Sequence, residues 1–159
     1  CPGCSCSSWR SGSGSGSGSS RVAEPGFRFL EHTADLRVEC HAPSLESLLD
    51  IAARALYSAA FTRPPSGTGT QHAVAVHAPS REELLVRWLQ ELIFLMDARR
   101  FAASSFEFHE VRPGFVSALA HGAPYTPDER DMEIKAATYH DIEIVDTPDG
   151  LIARIVFDL

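Results

Sequence analysis

Two apolar stretches with a helical period, set among runs that alternate every second residue, constrain this chain more than any other feature. After Pro43-Ser44, the residues Leu45, Leu48, Leu49, Ala52, Leu56 and Ala59 recur on one helical stripe. Ser44 is placed to cap the helix start, and Pro64-Pro65-Ser66-Gly67 stops it just after Phe61. A second helix is predicted to open on Ser80-Arg81-Glu82-Glu83, a capping box in which the serine and glutamate side chains each satisfy an orphan backbone N–H. Its apolar positions are Leu84, Leu85, Trp88, Leu89, Leu92, Ile93 and Met96, while Arg81, Arg87, Gln90 and Glu91 mark the other face. Two such amphipathic helices are built to lie on a sheet.

The sheet is legible around them, where the period falls to two. Phe27 to Glu31 and Leu36 to His41 read as an opening strand pair, and Val74 to His77 as a short strand between the helices. Phe106 to Val111 and Phe115 to Leu119, separated by Arg112-Pro113-Gly114, form a predicted hairpin. The strongest hairpin comes last: Ile142 to Val145, then Asp146-Thr147-Pro148-Asp149-Gly150, then Leu151 to Phe157. Its turn holds a proline to pre-set φ and a glycine to accept φ > 0. Antiparallel strands with two helices grouped between them predict a single α+β domain, most simply one sheet with both helices packed on it.

A chain of 159 residues can bury the core of one such domain. Residues 1–22 are expected to stand outside it, because Ser11 to Ser20 is an almost pure Gly/Ser alternation with nothing to bury. The domain is thus expected to span 23–159. Cys1, Cys4 and Cys6 fall in that tail, which leaves Cys40 alone in the domain and no disulfide framework. That usage fits a reducing, cytoplasmic setting. No apolar run approaches the roughly 18 residues of a membrane span. The net charge is −7, with Lys135 as the single lysine. Such a chain is poorly equipped to grip nucleic acid directly, so any work on RNA is expected to run through a basic partner.

Motifs of common enzyme classes are missing: there is no P-loop, no dinucleotide-binding glycine pattern and no nucleophile elbow. His72, His77, His109 and His121 occupy ordinary polar positions of predicted strands. His32, three residues before Asp35, and His140, beside Asp141, stand nearer other reactive groups. At the far end, the last strand is apolar up to Phe157 and closes on Asp158 and Leu159. A tied-down Asp158 beside the α-carboxylate of Leu159 would make an anionic pair in need of a third ligand, for which Asp35 is the best candidate. Three carboxyl groups together require a cation, and oxygen-only ligation suits hard ions such as Ca²⁺, Mg²⁺ or Mn²⁺. The plainer alternatives are a turn cap at Asp35 and a solvated chain end at Asp158. Spacing alone does not pair them.

Taken together, these segments resemble the archease family. The likeness is carried by Glu31-His32-Thr33-Ala34-Asp35, Ser44 to Leu49, Glu83 to Leu92, Glu133 to His140 and Ala153 to Leu159, in the family's order over about 27–159. Ala137 is small where the family usually carries a bulkier β-branched residue. The resemblance implies an accessory protein rather than a catalyst. Archeases are helpers of RtcB-type RNA ligases, which join RNA ends in tRNA splicing and RNA repair through a covalent histidine–GMP intermediate. The helper promotes guanylylation and repeated turnover. It also implies a divalent ion at positions matching Asp35, Asp158 and Leu159, with His32, Lys135 and His140 as partner contacts or supports. Two other roles fit the same residues: a chaperone-like modulator of a tRNA methyltransferase, and a small metal-dependent phosphoesterase.

Overall fold

The computed structural model describes residues 25–30 and 35–159. The expected tail, its three cysteines and His32 lie outside the described residues. The elements run β1 (Gly26–Leu30), β2 (Leu36–Ala42), α1 (Leu45–Ala60), β3 (Thr70–His77), α2 (Arg81–Arg99), β4 (Phe101–Arg112), β5 (Phe115–Pro124), β6 (Ala136–Thr147) and β7 (Gly150–Asp158). A single 3-10 turn, Pro127–Glu129, links β5 to β6.

The α+β class is as the sequence predicts, but the strands form two antiparallel sheets rather than one. β1-β2-β7-β6 make the first and β3-β5-β4 the second. Each helix serves both. α1 packs on β1, β2 and β7 of the first sheet and on β4 of the second, while α2 packs on β6 of the first and on β3, β4 and β5 of the second. This double duty explains why burial on α2 spreads from Leu84, Leu85 and Val86 through Trp88, Leu89, Leu92, Ile93, Leu95 and Met96, well beyond one stripe. Trp88 is fully buried, donates from Nε1 to the Leu49 carbonyl at 3.0 Å, and stacks near Phe106 and Phe108 at centroid distances of 5.1 and 5.6 Å.

Both helix starts are capped where expected. The Ser44 and Ser80 hydroxyls accept from the Ser47 and Glu83 backbone N–H groups, each at 3.2 Å. The Glu83 carboxylate turns instead toward Arg87, at 3.4 Å, so the second half of the predicted capping box gives way to an i,i+4 ion pair. The last turn also forms as predicted. Gly150 sits at φ +139, and a Cβ there would come within 2.3 Å of the Ala42 carbonyl. Only glycine meets both demands.

On the first sheet, Val38, Cys40, Ala153, Ile155 and Phe157 form the buried face, with Val38 opposite Ile155 and Cys40 opposite Ala153. Burial pushes the Cys40 thiol up to about 12, with help from the Glu39 charge. Cys40 is therefore core filling rather than a reactive thiolate. Among the described residues, no helix is long and apolar enough to cross a membrane.

Candidate metal centre

β2 and β7 bring the two ends of the chain's motif set together. Leu36 stands opposite Phe157 at the last pair of their antiparallel register, so Asp35 precedes and Asp158 follows that pair at the same end of the sheet. Side chains alternate along a strand, so residues 35, 37, 39 and 41 share a face with 158, 156, 154 and 152. That face points away from the helices, since Leu36, Val38 and Cys40 occupy the other one. Phe157 is fully buried, which ties the strand end down, while Asp158 and the 38 % exposed Leu159 reach solvent beside it.

The other nominated residues separate. The Lys135 backbone N–H donates to the Asp158 carbonyl at 2.8 Å, and Ala136 stands opposite Asp158 in β6, so Lys135 belongs to this end of the sheet. His140 does not. Between Thr138 and Glu143 the β6–β7 register shifts, and His140 rides on the resulting bulge, exposed, its ring 3.2 Å from the Asp141 carboxylate. His32 lies outside the described residues. Among the described residues, no three His, Cys, Asp or Glu side chains converge in a metal-binding group. At this end of the sheet stand Asp35, next to the first residue of β2, and Asp158, the last residue of β7 before Leu159; carboxylate and main-chain oxygens are the donor type that hard divalent cations prefer.

Beside this pair the same face carries a charge network that the sequence analysis does not foresee. Glu39 is 5 % exposed and is the one buried charged residue among those described. Its carboxylate meets Arg28 Nη2 at 2.9 Å, His41 Nε2 at 2.9 Å and Arg154 Nε at 3.2 Å. Burial alone pushes the Glu39 carboxyl up, but hydrogen bonds from His41 and Arg154 and the charge of Arg28 outweigh it and hold it below its ordinary 4.5. A depressed carboxyl stabilises the fold above its unfolded value, and that stability is lost as pH falls through the folded one. Glu39→Gln is therefore expected to cost about 1–2 kcal/mol at neutral pH. The gap to the parent should narrow on acidification below the ordinary carboxylate range, as measured by urea unfolding across pH. A gap that stays constant into acid would remove the charge network as its cause.

A groove of about 460 Å³ crosses this face between β1 and the β6 bulge, with Leu30, Arg37, Asp141, Ile142, Arg154 and Val156 among its walls. Arg37 Nη1 lies 3.3 Å from the Asp141 carboxylate. Arg37-Val38-Glu39-Cys40-His41 already alternates in the sequence, so the shared face of Arg37, Glu39 and His41 was readable there. What was not readable is the register that adds Arg154 and Arg28 to it.

Comparison with known proteins agrees with the fold. Residues 27–159 match the model of the Archease protein family. The chain is 34% identical over 138 residues to the protein archease of Archaeoglobus fulgidus, covering 84% of this chain and 98% of that one. It is 31% identical over 139 residues to the protein archease of Methanosarcina mazei, covering 84% and 95%. In fold it is similar to the solution structure of Methanobacterium thermoautotrophicum protein 1598, with a TM-score of 0.69 and 28% identity, over 84% of this chain and 99% of that one. It also matches the fold of a Thermotoga maritima archease described as a possible chaperone, with a TM-score of 0.61 and 21% identity, over 87% and 98% of the two chains.

Proposed function

The chain belongs to the archease family, and from that premise we propose that it is a metal-binding accessory factor which activates an RtcB-type RNA ligase in tRNA splicing and RNA repair. The observation that supports this reading is the β2–β7 register, whose end pair Leu36 and Phe157 leaves Asp35 and Asp158 at one end of the sheet, with Leu159 following. In this reading the two carboxylates and an oxygen of Leu159 hold a divalent ion, Ca²⁺, Mg²⁺ or Mn²⁺. When bound, that ion supplies positive charge able to bridge protein and phosphate oxygens. The protein's part is to present the site. Phe157, locked in the core, anchors the strand that carries Asp158, and the Lys135 N–H pins the Asp158 carbonyl, leaving its carboxylate exposed.

The acidic balance of −7 suits docking against a basic, phosphate-binding cleft, with charge steering the encounter. The ligase's own histidine does the covalent chemistry, and this chain promotes its guanylylation and its return for further rounds. Lys135 and His32 act as contacts to the partner, and the cytoplasm is the compartment where both proteins meet.

The test is RNA ligation by the cognate ligase under single- and multiple-turnover conditions, with GTP and Mn²⁺, with and without this protein. A parallel protein carries one extra residue after Leu159. Stimulation by the parent but not the extended form is the expected result, and it assigns a terminal carboxylate oxygen to the ion. Equal stimulation by both keeps the helper role and transfers Leu159's part to its main-chain carbonyl. No stimulation by either overturns the ligase reading. Altered specificity or assembly of a tRNA methyltransferase would then carry the chaperone-like role, and hydrolysis of a phosphodiester by this protein alone would carry the phosphoesterase one.

A further inference from the structure

Arg37 stands in an unusual position for an arginine. Its Nε–H is buried and finds no hydrogen-bond partner among the described residues. Its one described ion pair, to Asp141, is a long 3.3 Å. Leaving a buried donor unpaired is costly, and proteins tolerate it mainly where something else completes the set. Asp141 is unusual as well. It sits on the β6 bulge at φ +55, a left-handed conformation that aspartate accepts at some cost, and its side chain is 53 % exposed. A strained, solvated carboxylate is a weak partner for a guanidinium and a displaceable one.

The two residues line the same groove, to which the neighbouring strand β7 contributes Arg154. Arg154 is 59 % exposed, gives its Nε to Glu39 and reaches Glu143 only at 3.9 Å. The groove thus holds two arginines, Arg37 and Arg154, with Asp141 and Glu143 beside them, apolar Leu30, Ile142 and Val156, and a volume of about 460 Å³, within the size range of small-ligand pockets. A guanidinium fork matches a phosphate oxyanion in geometry as well as charge.

We propose that this groove is a phosphate-binding site for pyrophosphate or the polyphosphate tail of a nucleotide. Arg37 and Arg154 are its clamping cations, and Asp141 is an internal carboxylate that the ligand displaces from Arg37. The site stands on the groove's own residues and needs no divalent ion. Arg37 lies two residues along the same face from Asp35, roughly 7 Å away at strand spacing, so a chain of phosphates starting in the groove reaches the aspartate pair.

The experiment is titration of the full chain with inorganic pyrophosphate, free of divalent ions, followed by the Arg37 Nε–H resonance and by calorimetry. GTP in a second arm separates a nucleotide from the free anion. Saturable binding with a shift of the Arg37 Nε–H signal is expected. Arg37→Gln weakens binding by about tenfold or more, the worth of one charged hydrogen bond. Asp141→Asn tightens it several-fold, because the competing carboxylate is gone. Arg87→Gln, on the far side of α2, leaves it unchanged, and the absence of divalent ions separates this site from the ion-binding reading. Absence of saturable binding, equal affinity in Arg37→Gln, or unchanged or weaker binding by Asp141→Asn overturns the proposal. Amide spectra of each variant check that it is folded.

Discussion

Asp35→Ala is expected to abolish divalent-ion binding and, with it, stimulation of the ligase, while leaving the fold in place. Removing one carboxylate of a small oxygen-ligand set is a larger insult than removing the outer partners that tune such ligands, which already costs 10–100-fold in affinity. The expected loss of ion affinity therefore exceeds about 100-fold. Stability should change by less than about 1 kcal/mol, because Asp35 lies at a strand end outside the core. Asp158→Ala should behave alike, and the double variant should be no worse than either single one, since the two carboxylates act as a unit. Calorimetry with Mn²⁺ and a multiple-turnover ligation assay provide the two readouts. Full stimulation by Asp35→Ala would take the ion out of the mechanism, and additive losses would show that the two aspartates do not share one site.

Trp88→Ala is expected to give the largest loss of stability, about 3–5 kcal/mol by urea unfolding, through the cavity it leaves. The side chain is fully buried where α2 meets the aromatic pair Phe106 and Phe108, and its indole N–H holds the α1 carbonyl of Leu49. Trp88→Phe keeps most of the packing and drops that bond, so its expected cost is about 1–2 kcal/mol. A Phe variant as unstable as the Ala variant would locate the value of Trp88 in the hydrogen bond rather than in its volume.

What the sequence revealed follows from how local each signal is. Both helices were legible because the cap, the apolar recurrence and the stop signal all lie within one segment. The last hairpin was legible because Pro148 and Gly150 dictate its turn. β4 begins at Phe101 rather than Phe106, and nothing local marks that start. Ala102, Ala103, Ser104 and Ser105 carry little strand preference and are held by β5 instead, where a Cβ on Gly122 would come within 2.0 Å of the Ala102 carbonyl. β6 starts at Ala136, six residues before the predicted Ile142, because the bulge after Thr138 breaks the alternation that would have revealed one long strand. The second sheet escaped notice for a related reason. That β5 pairs with β3 as well as with its hairpin neighbour β4 is a long-range choice that alternation does not encode.

The candidate site divides in the same way. Asp35 and Asp158 were nominated from their carboxylate chemistry and the family likeness, and they flank the Leu36–Phe157 pair that ends the β2–β7 register. His140 was nominated on sequence nearness to Asp141, and it sits on the β6 bulge, exposed, 3.2 Å from the Asp141 carboxylate. Arg37, Arg154 and Asp141 drew no attention because each is an ordinary surface charge in its own strand, and only the three-strand register assembles them around a groove. The histidines assigned to plain sheet positions behave so where their contacts are described. His72 and His77 rest against Phe101 and Phe115, and His121 lies between Gln71 and Glu107.

β7, the last of the described strands in chain order, sits between β2 and β6 rather than at a sheet edge. A chain still emerging from the ribosome can form β1 and β2 early, yet it lacks the strand that joins them to the rest of their sheet. Until β7 is inserted, β2 shows an unpaired edge, a surface prone to pairing with other chains. Asp35 meanwhile has no Asp158 at its end of the sheet. On the proposed metal-site reading, a product lacking β7 therefore loses the cation site and exposes the edge of β2 together.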